Sequence, residues 1–322
     1  VVPGKARPGQ PLPDARFLAI WHQLGHADEA GAAAARNELR QRWDGDRKFV
    51  CQQPLWQRYF DESEGVVNHP EACSGPVPFF VMSHLDGGNV RWVDPKRVRE
   101  IHLLYAGAGS DLVSGFGHVA LRLVICPAPA SVSGGDASVD DASCAENLRE
   151  HLVLGFAAQV DDLSIDLIKA LGGRYRAYLF ASNFMDTYRD YAIGEFRDVS
   201  SLPLKIDVAQ RARMVRELAQ IHWSHVEEYD FFTRNCATLL QTALRNVWPD
   251  YAHSTLGQST YLRPDHLFEA LRSSTLADGA RLVDPAAAER NGNYFPGTRP
   301  IYEAALAEVR TAGGAVQARN LE

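Results

Sequence analysis

No run of apolar residues in this chain approaches the roughly 20 needed to cross a bilayer as a helix, and no stretch of it reads as a signal peptide. Basic residues are outnumbered, 33 Lys and Arg against 40 Asp and Glu, and a net charge of −7 supplies no field to draw phosphates. Nucleic acid is therefore not an expected partner. The chain also lacks an initiator methionine and opens Val1-Val2-Pro3-Gly4-Lys5. That start reads as trimmed, which points to an exported protein whose signal peptide has been removed. Also missing are a G-x-S-x-G elbow, a P-loop, an H-E-x-x-H helix, an EF-hand loop and a dinucleotide fingerprint. No cofactor is expected. His22 and His26 have i, i+4 spacing, but no local acid or thiol completes a metal set, so no metal is expected either.

What remains is an ordinary globular composition, 46% hydrophobic and 23% charged over 322 residues, enough for one large core or two smaller ones. Cysteine is scarce and odd in number: five, so that in an oxidising compartment at least one has no partner within the chain. Cys51 and Cys73 flank a polar segment. Cys126 and Cys144 bracket a loop, 127–143, rich in Pro, Ser and Gly. Either pairing makes a loop staple of about 3 kcal/mol on a chain-entropy argument, and Cys236 is then the free thiol. Five reduced cysteines in a cytosolic protein are the alternative.

Along the chain, Asp14 caps a first helix and Asp28 opens an alanine-rich second one. From Ile101 the pattern becomes that of strands: 101–106, 118–125 and 151–160, as an antiparallel pair or meander. The 118–125 strand reads as alternating. A mixed apolar, basic and aromatic stretch, 163–180, suits either contact with a lipid surface or a loop over the core. A strand over 201–206 follows, then a helix capped by Asp207, with Met214, Val215, Leu218, Ile221 and His222 on one side. Beyond Trp248 the spacing predicts a helix with Asp265 as N-cap, an irregular stretch over 281–300, and a last helix over 301–312.

The chemistry concentrates at Tyr229-Asp230-Phe231-Phe232-Thr233-Arg234-Asn235-Cys236. Leu239, Leu240, Ala243, Leu244 and Val247 recur at helical spacing after it, so Cys236 stands in the first turn of a helix. Unpaired N–H groups and the helix dipole there are expected to lower the thiol pKa. The candidate base is His118, at a strand mouth beside Gly115 and Gly117. A thiol and an imidazole perform acyl transfer: the thiolate attacks a carbonyl and the imidazolium protonates the leaving group. The Cys236 N–H is one expected oxyanion donor. The second comes from the Ser114–Gly117 loop or from Tyr105. Gln159 or His151 on the neighbouring strand orients His118, with Gln159 preferred. The plainer readings are a structural strand histidine and a buried structural cysteine.

Gly117-His118 on a strand, followed much later by Tyr229-x-Phe231-x-x-x-Asn235-Cys236 at a helix start, resembles the circularly permuted branch of the papain-like NlpC/P60 superfamily. More narrowly, Ser114–Leu123, Lys169–Tyr175, Tyr191 with Glu195–Asp198, and Asn235-Cys236-Ala237 resemble the family of the Lnb N-terminal periplasmic domain, over roughly 48–247. That resemblance implies an α+β fold with a permuted papain-like core, an antiparallel sheet packed on a cysteine-bearing helix. It also implies a Cys236–His118 pair, a site at which Asn235 joins Tyr105, Ser114 and Gly117, and a periplasmic or outer-envelope location in a Gram-negative bacterium. The expected organisation is a helical N-terminal extension (1–100), the core (101–247) and a C-terminal extension (248–322). The expected activity is thiol-dependent acyl transfer or amide or ester hydrolysis on an envelope lipid, lipoprotein or peptide. A peptidoglycan peptidase of the same fold and a catalytically silent binding module are the alternatives.

Overall fold

Runs of Val, Ile, Leu and Phe bounded by turns fold, among the described residues, into one open sheet of nine strands. The structure, a computed structural model, describes residues 28–45, 51, 75–83, 88–109, 115–128, 141–159, 175–225, 227–230 and 232–311. β1 (Val77–Met82) and β2 (Asn89–Val93) form a hairpin. β3 (Val98–Ala106), β4 (His118–Ile125), β5 (Leu152–Gln159) and β6 (Tyr175–Asn183) follow as an antiparallel meander. β7 (Val199–Pro203) pairs with β3, and the short β8 (Glu227–Tyr229) and β9 (Tyr294–Phe295) pair with β6 and β7.

The expected antiparallel sheet needs one correction, because β1 runs parallel to β6 through Val81↔Ala181 and Met82↔Ser182. The meander leaves one edge of β6 open, and β1 and β8 each occupy one end of it. The protein is thus mixed α/β with a large open mixed sheet. That sheet draws on both sides of the 101–247 span, from β1 and β2 before it and β9 after it.

Helices cover both faces. α1 (Glu29–Gly45) begins where Asp28 Oδ1 accepts from the Gly31 N–H, and α2 (Asp141–Glu146) and α3 (Phe184–Tyr188) are short. α4 (Val208–Ser224) starts on the expected Asp207 cap and buries the expected residues, including Met214, Val215, Leu218, Ile221 and His222. His222 bridges β6 to β1, its Nδ1–H donating to the Leu179 carbonyl and its Nε2 accepting from the Phe80 N–H. α5 (Cys236–Val247) packs on β4 and β5. After α6 (Pro249–His253) and α7 (Thr255–Gln258) comes α8 (Pro264–Arg272), which packs on β3, β4 and α5.

Several expectations change in the C-terminal part. Asp265 is not the cap of α8: proline fits the first helical position, so the helix begins at Pro264 with Arg263 as its boundary. The 281–300 stretch is also more regular than expected, holding α9 (Pro285–Arg290) and β9 before α10 (Arg299–Thr311). Residues 175–180 are not a loop but part of strand β6, with Tyr175, Ala177, Tyr178 and Leu179 buried. The helix expected from Asp14, His22 and His26, the stretch from 52 to Cys73, Ser114, most of the 127–143 loop and residues 163–174 lie outside the described residues.

Strand alternation splits the core in two. Val119, Leu121 and Leu123 of β4 face α4, α5 and α8 in the larger cluster, which includes Cys236. Ala120 faces the other side, with Leu104, Ala106, Val153, Phe184, Ala192 and Val199. β4 is consequently buried from Val119 to Ile125 rather than alternating with solvent, as a strand covered on both faces must be. Arg122, which reads as the exposed position of that alternation, is 1% exposed.

Arg122 is held by a buried polar chain. It donates to His151 Nδ1 (2.8 Å), Ser201 Oγ (3.1 Å) and the Gly292 carbonyl (2.7 Å), and its guanidinium lies 4.3 Å from the Phe184 ring centroid. Three partners, two of them buried, would lose a donor on truncation. Arg122→Ala is therefore expected to lower the unfolding free energy by on the order of 3 kcal/mol, measured by urea denaturation. A loss under about 0.5 kcal/mol, typical of a surface substitution, would show that the chain of bonds carries no stability.

Candidate functional site

Cys236 is the first residue of α5, and the cap that places it there is local. Asn235 Oδ1 accepts from the Ala237 and Thr238 N–H groups, while Thr238 Oγ1 accepts from the Asn235 N–H, a closed capping box. Asn235 Nδ2 donates to the Leu262 carbonyl at 2.7 Å, fixing the start of α5 to the segment before α8. Through these bonds Asn235 positions the cysteine at the start of α5.

The free thiol is buried, 4% exposed. Burial pushes it up to about 11, against three backbone N–H groups that face the sulfur, those of Val119, Ala237 and Cys236 itself, and the charge of Arg197. The expected lowering by the helix start is thus overturned. The helix end does stabilise the thiolate, but loss of water costs more. The Cys236 N–H also faces the Tyr229 phenol oxygen, and burial raises that phenol above its ordinary range.

His118 opens β4, one residue before the Val119 N–H that faces the sulfur. Its ring is directed to the smaller core, stacked on Tyr191 with centroids 6.0 Å apart, and its Nε2 lies 3.4 Å from where a Gly155 side chain would begin. No hydrogen bond joins His118 to Cys236. Burial, and then the charge of Arg197, hold the imidazole down to about 4. At neutral pH both members of the expected pair are therefore uncharged.

Of the residues expected to orient His118, His151 is placed elsewhere. It is fully buried, accepting from Arg122 at Nδ1 and donating from Nε2 to the Cys144 carbonyl at 2.8 Å. Arg122 competes for it, and a sequence cannot show that an arginine on the adjacent strand is buried beside it. Gln159 closes β5 opposite Arg176, and its side chain lies outside the described residues. Tyr105 stacks on Phe268 at 5.0 Å. Gly117 has φ +82°, and a Cβ there would sit 2.5 Å from the Ala106 carbonyl and 2.4 Å from the Tyr105 ring. Its role is to let β4 begin this close to β3. Cys126 and Cys144 form the expected disulfide, and Cys51 is also disulfide-bonded, while Cys73, its expected partner, lies outside the described residues.

Two contributors were not assigned a role from the sequence. The Val119 N–H is one, and the arrest of the β4–β5 ladder at Leu121↔Leu154 is what a strand pattern cannot reveal. Arg197 is the other. It is 5% exposed, donates to the Gly107 and Ala106 carbonyls and to Glu195, and lies 4.7 Å over the Tyr191 ring. It is the buried cation that bears on Cys236 and His118 alike.

A mixed sheet with a free thiol where a capped helix meets the first residues of a central strand defines the class of site. The model of one family, the Lnb N-terminal periplasmic domain, matches residues 90–266, more than half of the chain, and the chain belongs to that family. The match spans His118, Tyr191, Arg197 and Cys236, and it reaches further toward the C-terminus than the expected 48–247. No curated protein and no solved structure matches the chain. Family membership makes this a periplasmic envelope protein. Among the described residues no helix is long and apolar enough to cross a membrane.

With the thiol at about 11, its thiolate fraction grows about tenfold per pH unit below that value. Iodoacetamide alkylation of native Cys236, followed by intact mass, is expected to rise steadily from about pH 7 to about pH 10. A plateau reached between about pH 5 and pH 8 would mean a preformed thiolate–imidazolium pair and would overturn this electrostatic picture.

Proposed function

We propose that Cys236 is the nucleophile of a thiol-dependent acyl transfer or amide or ester hydrolysis on an envelope lipid, lipoprotein or peptide, with His118 as its base. The observation that carries this is the surroundings of the sulfur: a free thiol faced by three backbone N–H groups, one residue along β4 from an imidazole stacked on Tyr191. Donors that stabilise a thiolate also suit the oxyanion of an adding carbonyl. In the reaction the sulfur adds to the carbonyl carbon and its proton passes to His118. The leaving alcohol or amine takes that proton as its bond to carbon breaks, leaving a thioester. Water or an amine then adds to the thioester and gives a proton to His118, which passes it to the sulfur as the carbon–sulfur bond breaks, restoring the thiol and the neutral imidazole. The neutral resting pair fits this order, in which His118 takes a proton only as the carbonyl is attacked. The permuted papain-like core, and an origin in the periplasm or outer envelope of a Gram-negative bacterium, belong to the same reading.

A second reading draws on the burial of Cys236 and its raised pKa: a binding module in which the thiol is a small core hydrophobe. Incubation with envelope extract and intact mass separates the two. Wild-type protein is expected to gain an acyl adduct, Cys236→Ala none, and His118→Asn to form it about 10²–10⁴-fold more slowly. No adduct, combined with release of stem peptides from purified sacculi, would move the protein to peptidase chemistry. No adduct and no release would leave the binding module.

A further inference from the structure

One turn near His118 holds a residue in a conformation that its side chain opposes. Phe196 has φ +55° and is, among the described residues, the one non-glycine residue with a left-handed backbone, which a bulky side chain disfavours. The chain reaches it from a π-helical turn, Arg189–Gly194, that continues α3 and is closed by the Glu195 N–H donating to the Asp190 carbonyl. Both features are uncommon, and both gather at functional sites. Phe196 is only half-buried, its ring 5.8 Å from that of Tyr302, so burial of its own side chain does not account for the turn.

The turn does bring two other side chains together. Beyond it the Arg197 N–H donates back to the Tyr191 carbonyl at 2.8 Å, and the guanidinium lies 4.7 Å from the Tyr191 ring centroid. Arg197 is anchored on β3 and the residue after it, donating from Nη2 to the Ala106 carbonyl (3.1 Å) and from Nε to the Gly107 carbonyl (2.6 Å). Ala106 is the β3 residue paired with His118. Tyr191 stacks on the His118 ring, with centroids 6.0 Å apart and planes 28° from parallel. A closed circuit thus runs from β3 through Arg197 and Tyr191 to the imidazole, and returns to β3 through the pairing of His118 with Ala106. Thr298 pins the turn, its N–H and hydroxyl both donating to the Ala192 carbonyl.

We infer that Tyr191 is the positioning residue of His118, its ring fixing the plane of the imidazole at the mouth of β4, a task that His151, turned to Arg122, does not perform. A stacked ring fixes that plane without occupying either ring nitrogen, so both stay available to exchange a proton. Arg197 acts one step further away, by holding Tyr191. What the placement serves depends on the Cys236–His118 reaction proposed above; the placement itself does not.

The test compares wild-type protein with Tyr191→Phe, which keeps the ring, and Tyr191→Leu, which removes it. Two readouts are taken: the NMR signals of the His118 ring, and the rate at which p-nitrophenyl acetate acylates Cys236, followed by intact mass. Unchanged signals from His151, on the same sheet but outside the circuit, report that a variant is folded, and Tyr191→Met replaces the leucine variant if that one does not fold. Tyr191→Phe is expected to keep one sharp set of His118 signals and the wild-type rate. Tyr191→Leu is expected to broaden or split those signals and to slow acylation by on the order of tenfold to a hundredfold, with the half-saturating ester concentration unchanged. Sharp, unshifted His118 signals in Tyr191→Leu overturn the inference, as does broadening with an unchanged rate. A phenylalanine variant as slow as the leucine one overturns it too, since the phenol and not the stacked ring would then be what acts. If wild-type Cys236 takes no acetyl group, the nucleophilic reading fails, and the His118 signals of the variants alone decide the placement.

Discussion

A single buried cation sets the direction of most polar contacts on the smaller-core side of the sheet. Arg122 can only donate, so Ser201 Oγ accepts from it. The Glu100 carboxylate, which also accepts from Arg281, takes the Nε2–H of His102, which leaves Nδ1 to accept from the Ser201 hydroxyl 2.9 Å away. His151 likewise accepts from Arg122 at Nδ1 and so donates from Nε2 to the Cys144 carbonyl. Burial and Arg122's charge hold His151 down to about 3, and burial holds His102 at about 4. The guanidinium is itself held down to about 9 by burial, with the charge of Glu100 opposing. Phe184 and Phe295 cover it. β3, β4, β5, β7 and the α9–β9 connection are fastened to one another in this way, and the strand that carries His118 is fixed at its centre.

At the other end of β4 the balance is between burial and donors. A helix start contributes roughly 0.3–1 kcal/mol to a nearby anion, whereas taking a thiolate out of water without full compensation costs several times that. The three N–H groups and Arg197 reduce the cost without reversing it, and the thiol remains protonated. The same Arg197 opposes an imidazolium at His118. A buried arginine whose charge reaches both a thiol and an imidazole therefore stabilises the charged form of one and disfavours that of the other. An ion pair between them is not the resting state.

Local features of the fold were legible in the residues. Asp207 before an apolar stripe, Cys236 in the first turn of the helix marked by Leu239, Leu240, Ala243, Leu244 and Val247, and the spacing of Cys126 and Cys144 each depend on neighbours in sequence, and each stands where expected. Long-range placement was not legible. Nothing local tells β1 to lie parallel to β6, because that pairing depends on which edge the meander leaves open. Arg122 looks like a solvent-facing residue until Phe184, Phe295 and Gly292, from 62 to 173 positions away, close over it. His151 was credited to His118 for the same reason: strand adjacency was readable, but the competing arginine was not. The thiol's pKa misled because dipole and caps are sequence-local, whereas burial belongs to the whole fold.

The two faces of β4 determine how a thiol and an imidazole from successive structural layers stand to each other. Side chains of consecutive strand residues diverge, but their backbone atoms do not. The sulfur meets β4 at the Val119 N–H, and His118 is the preceding residue, so the separation of the two groups is across the strand mouth rather than across the core. Gly117 lets the strand begin against β3, and Gly155 leaves space at His118 Nε2. A side chain at Gly117 would meet the Tyr105 ring and the Ala106 carbonyl, and one at Gly155 would crowd Ala120 and His118. The two glycines therefore set how closely β3, β4 and β5 approach one another at the His118 end.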